Sequence, residues 1–235
     1  MRSGLVRPRP RLWITAGAGV AYAVLVRPRL LTWGATPAES AGVLPGDDLV
    51  PARWQTTRAV TIAAPPEEVW PWLVQMGYGR AGWYSYDRAE RLLGAGDFAE
   101  GGSATAVLPQ FQKLATGDSV PLSADGGLTA VVVDPPRALV LRMAMNLLTG
   151  APARDDDRVV LDWTWVFVLV PVGASTCRLL ARVRADYRPR AIGLLIPTLL
   201  EPVHLLMERA MLRGIRRRSD HPAQGSLDGR AGLRG

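Results

Sequence analysis

From Leu161 to Leu169 every second residue is large and apolar: Leu161, Trp163, Trp165, Phe167 and Leu169. A period of two places all of them on one face of a β-strand. Pro171-Val172-Gly173 then marks a turn, and a second alternating run follows. In it Cys177, Leu179, Ala181, Val183, Ala185 and Tyr187 point one way, and Arg178, Leu180, Arg182, Arg184 and Asp186 the other. That pattern describes a strand with one buried and one solvated face. Aromatics massed on one strand face need a large surface to pack against. The only stretch long enough is the apolar run Ala191 to Met211, closing in Arg213–Arg218. It reads as a long helix whose arginines suit its negative end, with Pro197 and Pro202 expected to kink or break its first half.

Upstream, Trp54–Ile62 is rich in β-branched residues and reads as a strand. Pro65 and Pro66 suit a helix start, Glu67 and Glu68 its positive end and Gly77 its stop. Val69, Trp70, Leu73 and Met76 recur at helical spacing, and Pro71 should bend the helix. A second short helix is expected from Tyr86 to Leu93, capped by Ser85 and closed by Gly94. Further strands are expected at Asp118–Leu122, Leu128–Val133 and Ala138–Met143, with Val159–Val170 and Thr176–Tyr187 completing the antiparallel sheet. The class is α+β.

The net charge of +7 is unevenly spread. Residues 1–29 carry six arginines and no acid, residues 209–235 carry seven arginines and two aspartates, and the remainder is net −4. A basic stripe on the folded body would mark nucleic acid; an acidic body with basic ends does not, so no nucleic-acid partner is expected. Basic ends beside apolar segments suit anionic lipid headgroups, although solvated arginine-rich tails give the same count. Cys177 is the single cysteine, which excludes an internal disulfide framework and a multi-cysteine metal site.

Leu12 to Val26 is uncharged and mostly apolar, between Arg7, Arg9, Arg11 and Arg27, Arg29. As a helix it spans about 22 Å, short of the ~30 Å hydrocarbon core, a gap that snorkelling arginines can bridge. Membrane anchor is the preferred reading. A cleaved signal peptide and an amphipathic or buried helix stay open, as does the side of the membrane. Pro28 should end regular helix. Gly17 with Ala21, or Gly19 with Ala23, has the spacing that pairs membrane helices into a homodimer. Thr36 to Ala52, rich in Pro, Gly and Asp, reads as a linker between residues 1–35 and a domain at 54–218, with a tail at 219–235.

The strings AVTIAAPPEEVWPWLVQMGYGRAGWYSYD (59–87), GDSVPL (117–122), VDPPRALVL (133–141) and EPVHLLMERAMLRGIRRR (201–218) resemble the START-like (SRPBCC) superfamily, specifically bacterial polyketide cyclase/dehydrase-like proteins. The resemblance covers roughly 54–218 and extends through 34–62. It implies a helix-grip fold, an antiparallel sheet wrapped around a long C-terminal helix. It also implies an internal cavity whose mouth borders the 78–87 loop. There Arg80 would hold a carboxylate or phosphate, and Trp83 and Tyr84 would cover an apolar ligand; plain packing, with Arg80 paired to Asp87, is the alternative. Trp163, Trp165 and Phe167 are cavity wall or core, and Tyr187 stands at the end of the neighbouring strand.

Glu201, His204 and Glu208 share one helix face. A buried, hydrogen-bonded His204 is preferred over a metal ligand or a proton donor. No metal and no cofactor are expected, since no phosphate loop, nucleophile elbow or paired histidines occur. The expected function is binding or transport of an apolar small molecule or lipid at the cell membrane, by single-pass or peripheral attachment. The alternatives are a cyclase or dehydratase of a polyketide-like aromatic precursor, with Tyr84, Asp87 or His204 as weak acid/base candidates alongside Arg80, and a tethered interaction domain without ligand.

Overall fold

The computed structural model describes residues 21–85, 102–124, 126–194, 196 and 200–220. Six strands form one antiparallel sheet: β1 (Trp54–Ile62), β2 (Ser119–Pro121), β3 (Gly127–Asp134), β4 (Ala138–Asn146), β5 (Val160–Gly173) and β6 (Thr176–Arg188). Their order is β1-β6-β5-β4-β3-β2. Every expected strand is present. β4 runs further than expected because its ladder with β5 continues through Ala144↔Asp162, Met145↔Leu161 and Asn146↔Val160, and β5 because its ladder with β6 continues through Pro171↔Cys177 and Gly173↔Thr176.

One sheet face carries the core. Trp165, Phe167 and Leu169 of β5 join Cys177, Leu179, Ala181 and Val183 of β6, as the alternation requires. Two helices cover them. The shorter spans Pro66–Val74 and buries Val69, Trp70 and Leu73. The longer spans Glu201–Asp220 and buries Glu208, Met211, Leu212 and Ile215. A six-stranded antiparallel sheet against a C-terminal helix is the arrangement expected of a helix-grip architecture.

Arg190–Leu194 is a 3₁₀ turn, Ile196 and Leu200 have π-helical backbone, and α-helix runs from Glu201 to Asp220 with Pro202 in its first turn. Pro197, like the helix expected at Tyr86–Leu93 and the tail beyond Asp220, lies outside the described residues. Gly214 is needed on this helix, since a Cβ there would stand 2.3 Å from the Tyr84 carbonyl oxygen.

The opposite sheet face departs from the expectation of a solvated surface. Leu180 and Arg182 are both buried, Arg182 at 1% exposure. Their cover is the segment read as a linker. It holds a short helix, Pro37–Ala41, opened by a Thr36/Glu39 capping box. Arg182 donates to the carbonyls of Glu39, Ser40 and Gly42, to Asp47 and to the Thr57 hydroxyl. Arg178 pairs with Glu39 at 2.8 Å, and Gly34, at φ +75°, lies directly against the backbone of Ala59.

Before this segment the chain is helical, with a π-helical turn at Tyr22–Val26 running into α-helix at Arg27–Leu31. Pro28, expected to end the helix, opens its second piece. Residues 12–20, the larger part of the expected anchor, lie outside the described residues, as do Gly17 and Gly19 of the pairing motif. Among the described residues no helix is long and apolar enough to cross a membrane.

Candidate functional site

Three of the hollows in the described surface bear on function. Two, of about 390 and 290 Å³, lie near the β4–β5 hairpin. The second carries Arg154, Asp155, Asp162, Asp186 and Arg188. The third, about 250 Å³, lies between the sheet and the first half of the C-terminal helix, and its lining is almost wholly apolar. Trp163 and Trp165 of β5, Val183 and Ala185 of β6, and Val203 and Met207 of the helix form its walls, with His204 and Glu208 among them. We take the third as the candidate site, because it alone joins an apolar wall to a buried polar group.

That polar group begins at Arg58. On β1, Trp54, Thr56, Arg58, Val60 and Ile62 share the inward face, so period two drives a guanidinium into the core. A buried charge must be paired. Glu208 supplies the partner, with both side chains at 0% exposure. Arg58 Nη1 donates to Glu208 Oε2, and its Nε donates to the Leu30 carbonyl at 3.1 Å. Glu208 Oε1 accepts from Trp165 Nε1 at 2.9 Å. Both carboxylate oxygens are thus engaged.

His204, one turn before Glu208, completes the group. Arg58 Nη1 stands 2.8 Å from His204 Nδ1. A guanidinium only donates, so Nδ1 must offer its lone pair, and the ring proton of a neutral imidazole resides on Nε2. Burial holds the His204 pKa below its ordinary value; Glu208 pulls it up and Arg58 pushes it down further. His204 Nε2 is buried without a hydrogen-bond partner, 3.7 Å from Glu208 Oε1. Trp163 Nε1 is likewise buried and unpartnered.

A second ion pair closes the rim. Glu201, buried at the start of the helix, accepts from Arg27 Nε at 2.8 Å and from Trp54 Nε1 at 2.9 Å. The Trp54 ring meets His204 edge-on at 5.4 Å. Beyond this pair Leu200, and Val203, Leu206 and Met207 of the helix, are exposed, as are Val24, Leu25 and Val26.

Of the residues singled out from the sequence, the cavity gathers Trp163, Trp165 and His204. Phe167 and Trp83 lie behind the wall, in contact with Trp165 at ring separations of 5.2 and 5.3 Å. Arg80 is engaged elsewhere. Its guanidinium donates to the carbonyls of Met76 and Val74 and lies 4.7 Å over the Phe111 ring, closing the end of the short helix. Tyr84 is buried, its hydroxyl accepting from Gln75 Nε2 and donating to the Trp72 carbonyl. Burial raises its phenol pKa. Tyr187 packs beside Gly193, away from the cavity. Asp87 lies outside the described residues. Arg58 and Trp54 were missed by sequence reasoning, and Glu208 was weighed only as a metal ligand. Among the described residues, no group of three or more His, Cys, Asp or Glu converges to hold a metal ion.

No family model matches the chain, and no curated protein does. Solved structures do. A protein of Mesorhizobium loti is 20% identical over 72% of this chain and 98% of its own, with a TM-score of 0.39. A Chromobacterium violaceum protein is 13% identical over 71% of this chain and 96% of its own, at 0.41. Truncated norcoclaurine synthase from Thalictrum flavum is 13% identical over 68% of this chain and 91% of its own, at 0.36.

Proposed function

We propose that this chain binds one apolar small molecule, or the end of a lipid, in the 250 Å³ cavity, and does so at a membrane surface. The observation that carries the reading is the cavity itself, an apolar hollow with three tryptophans in its wall and Glu208, the acid of a buried ion pair, at its edge. Scaling from a 150 Å³ cavity that admits benzene, it has room for about ten non-hydrogen atoms. The membrane part is supported by the exposed apolar residues of two helices beside the rim, and by six arginines among the first 29 residues.

Filling the hollow tests it. Ala185 is buried in the wall opposite the helix, and Ala185→Leu should displace a small neutral fluorescent probe such as naphthalene, weakening its binding at least tenfold with the circular dichroism spectrum preserved. Undiminished probe binding by the filled variant would place the ligand elsewhere.

One observation favours a second reading, a cyclase or dehydratase. His204 belongs to the cavity wall and its Nε2 proton has no hydrogen-bond partner, so a small turn of the ring would let it be donated to a bound carbonyl. Turnover of an aromatic polyketide-like precursor, lost in His204→Gln, would decide for it.

A further inference from the structure

Arg27, Arg58, Arg178 and Arg182, which join separate elements of the fold, each have a carboxylate partner. Arg209 and Arg213 of the long helix do not. Their guanidinium carbons stand 4.9 and 5.3 Å from the centre of one indole ring, that of Trp33. Among the described residues neither side chain has an acid or a hydrogen-bond partner. Arg213 is exposed and Arg209 half-buried. An indole attracts a cation to its face, but it neutralises no charge and offers the N–H groups no lone pair. Two like charges one helical turn apart also repel each other. The group is short of an anion.

Trp33 fixes where that anion would sit. Its carbonyl accepts from the Ala59 amide at 3.1 Å, and a Cβ on the next residue, Gly34, would stand 2.1 Å from the Ala59 carbonyl oxygen. The chain on either side of the indole is therefore laid against β1, and the ring packs on the edge of the core. Both arginines are gathered at a rigid point instead of waving in solvent.

The surroundings select the kind of anion. Leu206, Arg209 and Arg213 are spaced three and four apart, which sets them along one stripe of the helix, and Leu206 is 54% exposed. Trp33 itself follows the exposed apolar residues Val24, Leu25 and Val26 through the single short helix Arg27–Leu31. A free anion gains nothing from such neighbours. A lipid brings phosphate and acyl chain together, and tryptophan and arginine are both suited to the headgroup layer. Guanidinium forks match phosphate oxygens. A choline group on that phosphate would set a third cation beside two arginines that lack an acid.

We infer that Trp33, Arg209 and Arg213 form a binding site for the phosphate of an anionic phospholipid, one whose headgroup carries no cation of its own. This rests on the membrane reading above and names the lipid chemistry it meets.

Calorimetry on the full chain in dodecyl maltoside, with micelles alone subtracted, compares three probes: dihexanoyl-phosphatidylglycerol, dihexanoyl-phosphatidylcholine and inorganic phosphate. A hydrogen bond to a charged group is worth about tenfold or more in affinity. The glycerol lipid should bind at least about tenfold more tightly than either of the others. Arg209→Gln with Arg213→Gln should cost it about tenfold or more, and Arg213→Gln alone, at an exposed position, several-fold. Arg137→Gln with Arg154→Gln removes the same charge from exposed sites on the β3–β4 and β4–β5 connections and should leave binding unchanged. Equal binding of the two lipids, unchanged binding in both helix variants, or an equal loss in the control overturns the inference. So does inorganic phosphate binding as tightly as the glycerol lipid, which would make this a site for a free anion. Flotation with phosphatidylcholine vesicles reads membrane attachment separately. A chain that titrates as expected but does not float keeps the site and loses the anchor; one that floats without preferring the anionic lipid keeps the anchor and loses the site.

Discussion

Arg58 and Glu208 form an ion pair withdrawn wholly from water. Such a pair stabilises little in net terms, yet breaking it strands a charge in the core, at about 3–5 kcal/mol. Arg58→Met and Glu208→Met should each lose that much in urea denaturation, and the double variant should recover more than half of the summed loss. A strictly additive double variant would mean that the two side chains do not share a single site. His204 gives a pH signature. Its folded pKa is lowered, so the unfolded chain binds the proton first as pH falls through 6.5, its ordinary value. Stability should then be full above about pH 6.5 and decline below it until the folded pKa is reached. Glu39, with its pKa lowered first by Arg178, acts in a different window, losing its contribution below 4.5. His204→Gln should flatten the upper slope and leave the lower one in place, measured by denaturation midpoint against pH. The sequence held a signal for this group. Arg58 lies in phase with Val60 and Ile62, and an arginine on the inward repeat of a strand demands an acid from elsewhere in the fold. Which acid is a matter of tertiary distance, 150 residues along the chain.

At the scale of elements, the strands were legible because period-two alternation is local, and each turn has its own Gly or Pro. The cover on the sheet's back was not. Arg178, Arg182 and Arg184 alternate as solvated residues do, and nothing near them in sequence shows that a segment some 140 residues earlier lies over them. That segment is irregular because its work is done by backbone carbonyls, which leave no periodic mark. Truncation exposes the dependence. A chain beginning at Arg27 should give a cooperative thermal transition, whereas one beginning at Trp54 should lose it or melt far lower, with Arg182 and Leu180 uncovered. Equal melting of the two chains would show that residues 27–53 contribute nothing to the sheet. The 78–87 loop misled for a related reason. Its aromatics and arginine have the composition of a binding loop, but Arg80 and Tyr84 satisfy helix-end carbonyls and amides instead.

On the scale of the whole molecule, the rim of the cavity and the exposed turn at Tyr22–Val26 are joined through the Arg27–Glu201 pair. Val203 and Leu206 can be changed without disturbing the core, since both are more than half exposed. With Val203→Glu and Leu206→Glu together, the full chain should still float with anionic vesicles if residues 12–26 insert, but should take up vesicle-borne ligand at least several-fold more slowly. Release of the unmodified chain by a high-salt wash would mean that attachment is electrostatic, because salt screens arginine–headgroup attraction and leaves apolar insertion intact.

If residues 12–26 anchor the chain in lipid, as proposed above, Arg27 and Glu201 set the length of the leash. A domain hung from its anchor by a flexible linker samples every orientation and meets a bilayer-dissolved molecule mouth-first only as often as chance allows. Here the residue that follows the apolar turn is held by two guanidinium nitrogens to the first residue of the helix that bounds the cavity. Once the preceding residues are seated in lipid, the opening stays a few side chains from the anchor's point of exit. The encounter then depends on a local concentration set by geometry instead of a search through solution. Cutting that joint, as in Glu201→Gln, would leave affinity for a soluble probe nearly intact while slowing exchange with the membrane, a kinetic phenotype that an equilibrium titration would miss.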